Sequence, residues 1–460
     1  MKYLLRILLA ALCAAVAATG CNREPGKPAT PHKSAGSTVL ATTTILATIG
    51  ENEKPVTISM PSAAIHSSPT TQLEFTFSEK GGGVAYTIEK NGEPRVVHNG
   101  KAGTSCKAVG AVVLSPDGKR IAYGVLVDGK WRMVVDGKEG APFNAVQRPV
   151  FSPDGSHLAY QAMAGERWYL VVDTKPNPGT DKRYLNHEFS ADSSRIAYID
   201  NVDDKNRGRL VVSDLAFAKQ IVIAAGVSSM FSNTDKSRIA AVSTSDGKQQ
   251  VVDFSFDWPD AVHKGALYDT VGPLAFGPDG ATLAYTAQQA GRRVLVLGDR
   301  ELALPQGDLA GLPVIHPDNK TVGVLMFSDG ATFLQQLSPG GGNREDGYES
   351  AESLVYSRDG RYHAYAAQKG PNWFVVVNGK EGPAFDRVVS PLFTPDGKLV
   401  VYRARKDGKR FVVVADPNGR TIRQYPPYEQ VFQPVFTADG KSVAYGVKDG
   451  NKLIWKVDPL

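Results

Sequence analysis

The sequence predicts an all-β fold, a β-propeller of about ten four-stranded blades. Three observations predict it: a strand–turn–strand unit that recurs along the chain, a spacing near that of propeller blades, and a Tyr at a fixed offset in the unit. The unit is clearest from Pro149 to Tyr160, where Val150 and Phe151 enter a turn, Pro153, Asp154 and Gly155 form it, and Leu158, Ala159 and Tyr160 leave it. Pro presets φ for the second turn position, Asp tolerates the third and Gly takes the fourth. Leu158 and Tyr160 then share one sheet face, with the small Ala159 on the other.

Anchored on the position of Phe151, the unit occurs at Phe77, Leu114, Phe151, Phe189, Phe231, Phe276, Ile315, Tyr356, Phe393 and Phe436, with steps of 37 to 45 residues. Nine residues after the anchor stands a Tyr in eight copies: Tyr86, Tyr123, Tyr160, Tyr198, Tyr285, Tyr365, Tyr402 and Tyr445. Repeats of roughly 40–45 residues made of strands and turns are the pattern of propeller blades. One four-stranded sheet cannot cover both of its faces, so each copy needs neighbours. No long linker interrupts the series. One continuous ring is expected, with two smaller propellers as the alternative.

The chain begins with Lys2 and Arg6, then an apolar run from Leu8 to Ala18, and reaches Ala18-Thr19-Gly20-Cys21. Residues 1–20 have the form of a secretory signal and are too short to span a membrane with flanks. The end of the run resembles the lipobox of bacterial lipoproteins, which implies lipidation of Cys21 after cleavage. Residues 21–37 are then a flexible tether, because Asn22 to Gly36 holds no large apolar residue to bury. The lipoprotein resemblance, with Asn22 rather than Asp after the Cys, implies the periplasmic face of an outer membrane; a soluble secreted or periplasmic protein is the alternative. Residues 38–460 are the propeller. The last copy has a third strand at Lys452 to Val457 and no room for a fourth, so a strand from 38–60 is expected to complete it and close the ring.

The units at 114–123, 151–160, 393–402 and 436–445 resemble the Pro-Asp repeat of the TolB-like β-propeller family, a WD-like repeat. That resemblance implies a propeller in the cell envelope that works through protein contacts. The chain lacks the α/β domain that precedes the blades in that family, and its repeat count exceeds the family's six.

The recurring turn carboxylates Asp117, Asp154, Asp279, Asp318, Asp359, Asp396 and Asp439 read as structure, since identical blade ends cannot all be active sites. The eight His show no His-x-x-x-His spacing and the three Cys no Cys-x-x-Cys, so no metal site is expected. No Gly-x-Ser-x-Gly elbow, P-loop or dinucleotide fingerprint is present, and no cofactor is expected. The net charge of +5 falls to +3 without Lys2 and Arg6, too weak for a nucleic-acid partner. Basic residues collect after the second strands of copies six, eight, nine and ten: Arg292, Arg293, Lys369, Arg403, Arg405, Lys406, Lys409, Arg410 and Lys448. Here the second-to-third-strand loops read as variable in length, and loops on a rigid scaffold are the usual binding surface. The expectation is a binding scaffold for an envelope protein or anionic polymer, attached to the membrane by its lipid. The alternative is an enzyme acting on a carbohydrate or peptide in the central channel, with two carboxylates, or a His and a carboxylate, at one mouth.

Overall fold

The computed structural model describes residues 41–51, 53–56, 75–90, 92–257, 259 and 261–460; the leader, the tether and Cys21 lie outside them. Each copy of the unit becomes one antiparallel blade. Blade 3 shows the pattern: inner strand Ala145–Phe151, second strand Leu158–Ala164, third strand Arg167–Val172 and outer strand Lys175–Pro176. Ser152 Oγ donates to Asp154 Oδ1 at 2.5 Å and accepts the His157 N–H at 3.0 Å, which locks the turn. The same closure recurs at Ser115/Asp117, Ser190/Asp192, Ser357/Asp359, Thr394/Asp396 and Thr437/Asp439. Gly155 takes φ 74°, which only a residue without Cβ adopts at no cost.

Blades 4 and 5 share one seven-stranded sheet. Gln220–Ser232, 13 residues long, is the outer strand of the first and the inner strand of the second. Gly226, at φ 68°, and register shifts on either side turn it between the two.

Blades pack face to face through their second strands. Between blades 2 and 3, Ala122 and Met133 meet Phe151, Leu158 and Tyr160. Each such aliphatic side chain contributes about 1.5–3 kcal/mol of burial. The recurring Tyr is buried in all eight copies that carry it. At the ends of the series, Leu453 and Phe432 of blade 10 pack on Phe75, Val84 and Tyr86 of blade 1. Phe77 and Phe432 lie 4.6 Å apart between ring centroids. Blade 10 therefore adjoins blade 1, and the ten blades form one ring. Thr42–Thr48 pairs with Lys452 to Val457 as the outer strand of blade 10, so that sheet joins the two ends of the described chain.

Three details differ from the sequence reading, which places the fourth strand of blade 3 between Asp181 and the next anchor, the Pro residues ahead of the anchors at strand starts, and variable length in the second-to-third-strand loops. The fourth strand of blade 3 is Lys175–Pro176, ahead of Asp181 rather than after it, because the Asp173 turn at φ 54° reverses the chain at once. Pro149, Pro273 and Pro391 stand inside inner strands, at a register shift, rather than at their starts. Arg148 and Ser390, at φ 53° and 52°, bulge the strand there, so the missing N–H of the following Pro interrupts no regular ladder. The second-to-third-strand loops are not variable. The second strand runs four residues past its Tyr, and a two-residue hairpin follows in every blade except the fourth, where residues 201–207 intervene. Variation in repeat length falls instead in the outer strand and the crossover to the next blade.

Candidate functional site

The ring has two faces. The turn face carries the Ser-x-Asp turns. The hairpin face carries the second-to-third hairpins and the crossovers between blades. On the hairpin face a second motif recurs that sequence reading missed: an aromatic residue followed by an acid or amide, at Phe143-Asn144, Tyr268-Asp269, Tyr348-Glu349, Phe385-Asp386 and Tyr428-Glu429. The aromatic residue bridges its own crossover to a third strand, as Phe143 does with Trp131. The polar side chain accepts an N–H from the hairpin 21 residues later: Asn144 from Gly165, Asp269 from Ala290, Glu349 from Gly370 and Asp386 from Asp407, at 2.6–3.0 Å. The constant spacing was the available signal. These polar groups hold hairpins shut, as the turn carboxylates hold turns.

The basic residues separate into two groups. Arg292 pairs with Glu301, Arg293 lies 3.8 Å from Asp308, Lys369 lies 4.0 Å from Glu381, and Lys448 pairs with Glu429. Arg410 donates to the Glu429 carbonyl at 2.6 Å. Arg403 is not in a loop; it sits mid-strand in Val400–Lys406, half-buried, and donates to the Val431 carbonyl at 3.2 Å. Burial lowers its pKa. Arg405, Lys406 and Lys409 remain, exposed around the blade 9 hairpin with no carboxylate within ion-pair distance among the described residues. Blades 8, 9 and 10 are neighbours, whereas blade 7 separates blade 6 from them.

Three residues before the anchor, the innermost strands carry Ala111, Arg148, Asn186, Ser228, Pro273, Leu312, Ser353, Ser390 and Gln433. A cavity of about 480 Å³ opens at the turn-face mouth of the ring, lined by Phe276, Pro278, Ile315, Pro317, Tyr356, Arg358, Phe393 and Pro395 among others. Its lining contributes one cation, Arg358, and no carboxylate.

A His beside a carboxylate does occur, in side positions. His157 and Asp173, 2.8 Å apart, occupy the strand-start and hairpin positions that Arg120 and Asp136 occupy in blade 2, so this pair is a clamp. Asp253 is held by Arg238 and His263, and Asp200 by Arg209. Cys106 is buried, its Sγ 3.3 Å from the Ala108 carbonyl, and burial raises its pKa. His316 lies 3.1 Å from Asp318 of its own turn, and a further pair lies in a cleft of about 350 Å³ between blades 7 and 8. His363 Nε2 lies 2.6 Å from Glu345 Oε1, and the Tyr365 hydroxyl donates to Glu345 Oε2 at 2.9 Å. Burial works to raise the Glu345 carboxyl, but the bonds from His363 and Tyr365 outweigh it and hold the group below its usual range. Gln336 Nε2 lies 3.4 Å from His363 Nδ1. With Nε2–H donated to Glu345, Nδ1 is the acceptor for that amide.

No family model matches the chain, and no curated protein matches it. Among solved structures, a eukaryotic initiation factor is similar at TM-score 0.45 and 13% identity, covering 78% of this chain and 97% of that one. TolB from Acinetobacter baumannii gives TM-score 0.24 and 14% identity over 68% of this chain and 77% of its own. The β-propeller domain of the Trilobed protease from Pyrococcus furiosus gives 0.34 and 10% over 60% and 93%. At these values the neighbours say nothing of function, and the ring is read from its own strand pairing.

Proposed function

We propose that the chain is a lipid-anchored cell-envelope propeller that acts as a protein-binding scaffold through its hairpin face. The observation that carries this reading is the blade 9 hairpin. The carboxylates and most cations around it hold the fold together, while Arg405, Lys406 and Lys409 stay exposed with no ion pair among the described residues, Lys406 and Lys409 on one sheet face and Arg405 on the other. Clustered cations on a rigid hairpin suit an anionic surface of an envelope protein. Cys21, as the lipid-bearing residue, and the tether after it would let that face stand off a membrane.

Two measurements test it. Changing Arg405, Lys406 and Lys409 to Glu should reduce recovery of an envelope partner on the immobilised protein and flatten its salt dependence; equal recovery overturns the basic-hairpin version. Cys21→Ala should move the protein from the membrane to the soluble fraction and abolish fatty-acid labelling; retained labelling overturns the anchor.

A further inference from the structure

A repeat protein supplies its own controls, because each position of one blade has equivalents in the others. Seven residues after the anchor, the second strand opens with Val84, Ile121, Leu158, Ile196, Leu283, Val322, Val400 and Val443, and with Ile239 one residue later in blade 5; blade 8 has His363. The anchor is Phe, Leu or Ile everywhere except at Tyr356. Gln336, paired across the sheet with Gly323, stands where six blades have Val135, Val172, Val212, Val377, Val414 and Val457 and blade 6 has Leu297; blades 1 and 5 have His98 and Asp253 there. The N–H of Glu345 bonds Leu334, as Gly103, Gly140, Gly265 and Gly382, and also Asn177 and Tyr425, bond their own third strands. Four polar departures, on four different elements, thus meet in one cleft.

A fifth departure makes room for them. Gly323 replaces the Ala found at Ala85, Ala122, Ala159 and Ala364, and a Cβ there would lie 2.5 Å from the Tyr356 hydroxyl. That hydroxyl is buried beside the Gln336 amide, with no regular hydrogen bond among the described residues. Replacing packed aliphatic groups with buried polar ones costs stability unless they are satisfied. Where blades 5 and 6 meet, Arg238 and His263 both bond Asp253; in the blade 7–8 cleft, too, capacity is left over. Gln336 Oε1 makes no bond, Glu345 has spare lone pairs, and Arg361, bonded through Nε to Asp359, keeps its terminal N–H groups at the rim.

We propose that this cleft binds a small, neutral, hydroxylated ligand of sugar size. The volume of about 350 Å³ lies within the small-molecule range. Glu345 is held by hydrogen bonds from His363 and Tyr365, and Arg361 by Asp359, so each charged group of the cleft already has a partner. What it offers is acceptors beside donors, which hydroxyl groups match in both senses, and the rings of His316 and Tyr356, 4.9 Å apart, for an apolar C–H face. The site is separate from the blade 9 hairpin and stands whether or not that surface binds a partner.

The test is saturation-transfer NMR and calorimetry on the full propeller with glucose, N-acetylglucosamine and glucuronate. A neutral sugar should bind saturably and glucuronate more weakly. Gln336→Val, which installs the residue of six other blades, should weaken the neutral sugar about tenfold or more. Arg361→Ala, at an exposed position, should weaken it with the melting temperature unchanged, which separates recognition from folding. Absence of saturable binding by either neutral sugar, tightest binding by glucuronate, or wild-type affinity in both variants would each overturn the assignment.

Discussion

The junction between blades 2 and 3 and the junction between blades 7 and 8 are built on one backbone plan with opposite chemistry. In the first, Val135, Phe151 and Leu158 join an apolar cluster with Ala122 and Met133. In the second, Gln336, Tyr356 and His363 take the equivalent positions and Glu345 reaches in from a site where blades 1, 2, 5 and 8 have Gly. The ring tolerates this because nine other junctions are packed and the fold does not depend on any one of them. A repeat architecture can thus hold a polar site at one junction while the rest carry stability.

The comparison can be broken in order of expected effect. Removing residues 41–49 unpairs the outer strand of blade 10 and strips Ala47 and Ile49 from the core shared with blade 1. That loss should exceed any single-junction change and abolish a cooperative melt; an unaltered melting curve would show that closure contributes nothing. Leu158→Ala at the apolar junction should cost about 2–5 kcal/mol in denaturant unfolding. His363→Val should cost less, about 1–3 kcal/mol, because it leaves Glu345 in the cleft with the Tyr365 hydroxyl as its remaining donor. Adding Glu345→Gly should recover most of that loss, since both positions then carry residues found in other blades; a double variant less stable than the single one would mean that the polar pair holds the junction together.

Acid should weaken the whole ring. Burial lowers the pKa of His187 from 6.5 to about 4, so its contribution is full above pH 6.5 and is lost as pH falls toward 4. The turn carboxylates follow. Hydrogen bonds from Ser115 and Ser357 hold Asp117 and Asp359 below their ordinary value of 3.8, Asp359 at about 2. A depressed carboxyl stabilises above its unfolded value and stops doing so as pH falls through the folded one. Melting temperature should therefore drop from pH 6 to 4 and again toward pH 2; a flat profile would contradict both. The smallest effect belongs to the hairpin: Glu at 405, 406 and 409 should change stability by no more than about 0.5 kcal/mol, since none of the three packs or pairs.

Much of the fold was legible because local chemistry and global plan agree. The recurring turn and the Tyr nine residues after eight of the ten anchors marked the blades, and the pairs Asp136-Gly137 and Asn378-Gly379 form hairpins at φ 51°/80° and 46°/76°. The candidate cleft was less legible. His363 and Gln336 look unremarkable one at a time, and only alignment of the copies against each other shows that His363 replaces an aliphatic residue found in every other blade and Gln336 one found in most. The basic cluster misled because Arg292, Arg293, Lys369 and Lys448 find their acids through sheet pairing that residue spacing does not reveal.

Sequence by itself determined the unit, its number and its turns, because each is written in residues only a few positions apart and governed by φ preference and strand alternation. Tertiary structure decided that the ring is single, which cations stay free, and that His363, Glu345, Gln336 and Tyr356 share a cleft. Those outcomes depend on which blade faces which, and that is set by the packing of whole sheets around an axis rather than by any local stretch of chain.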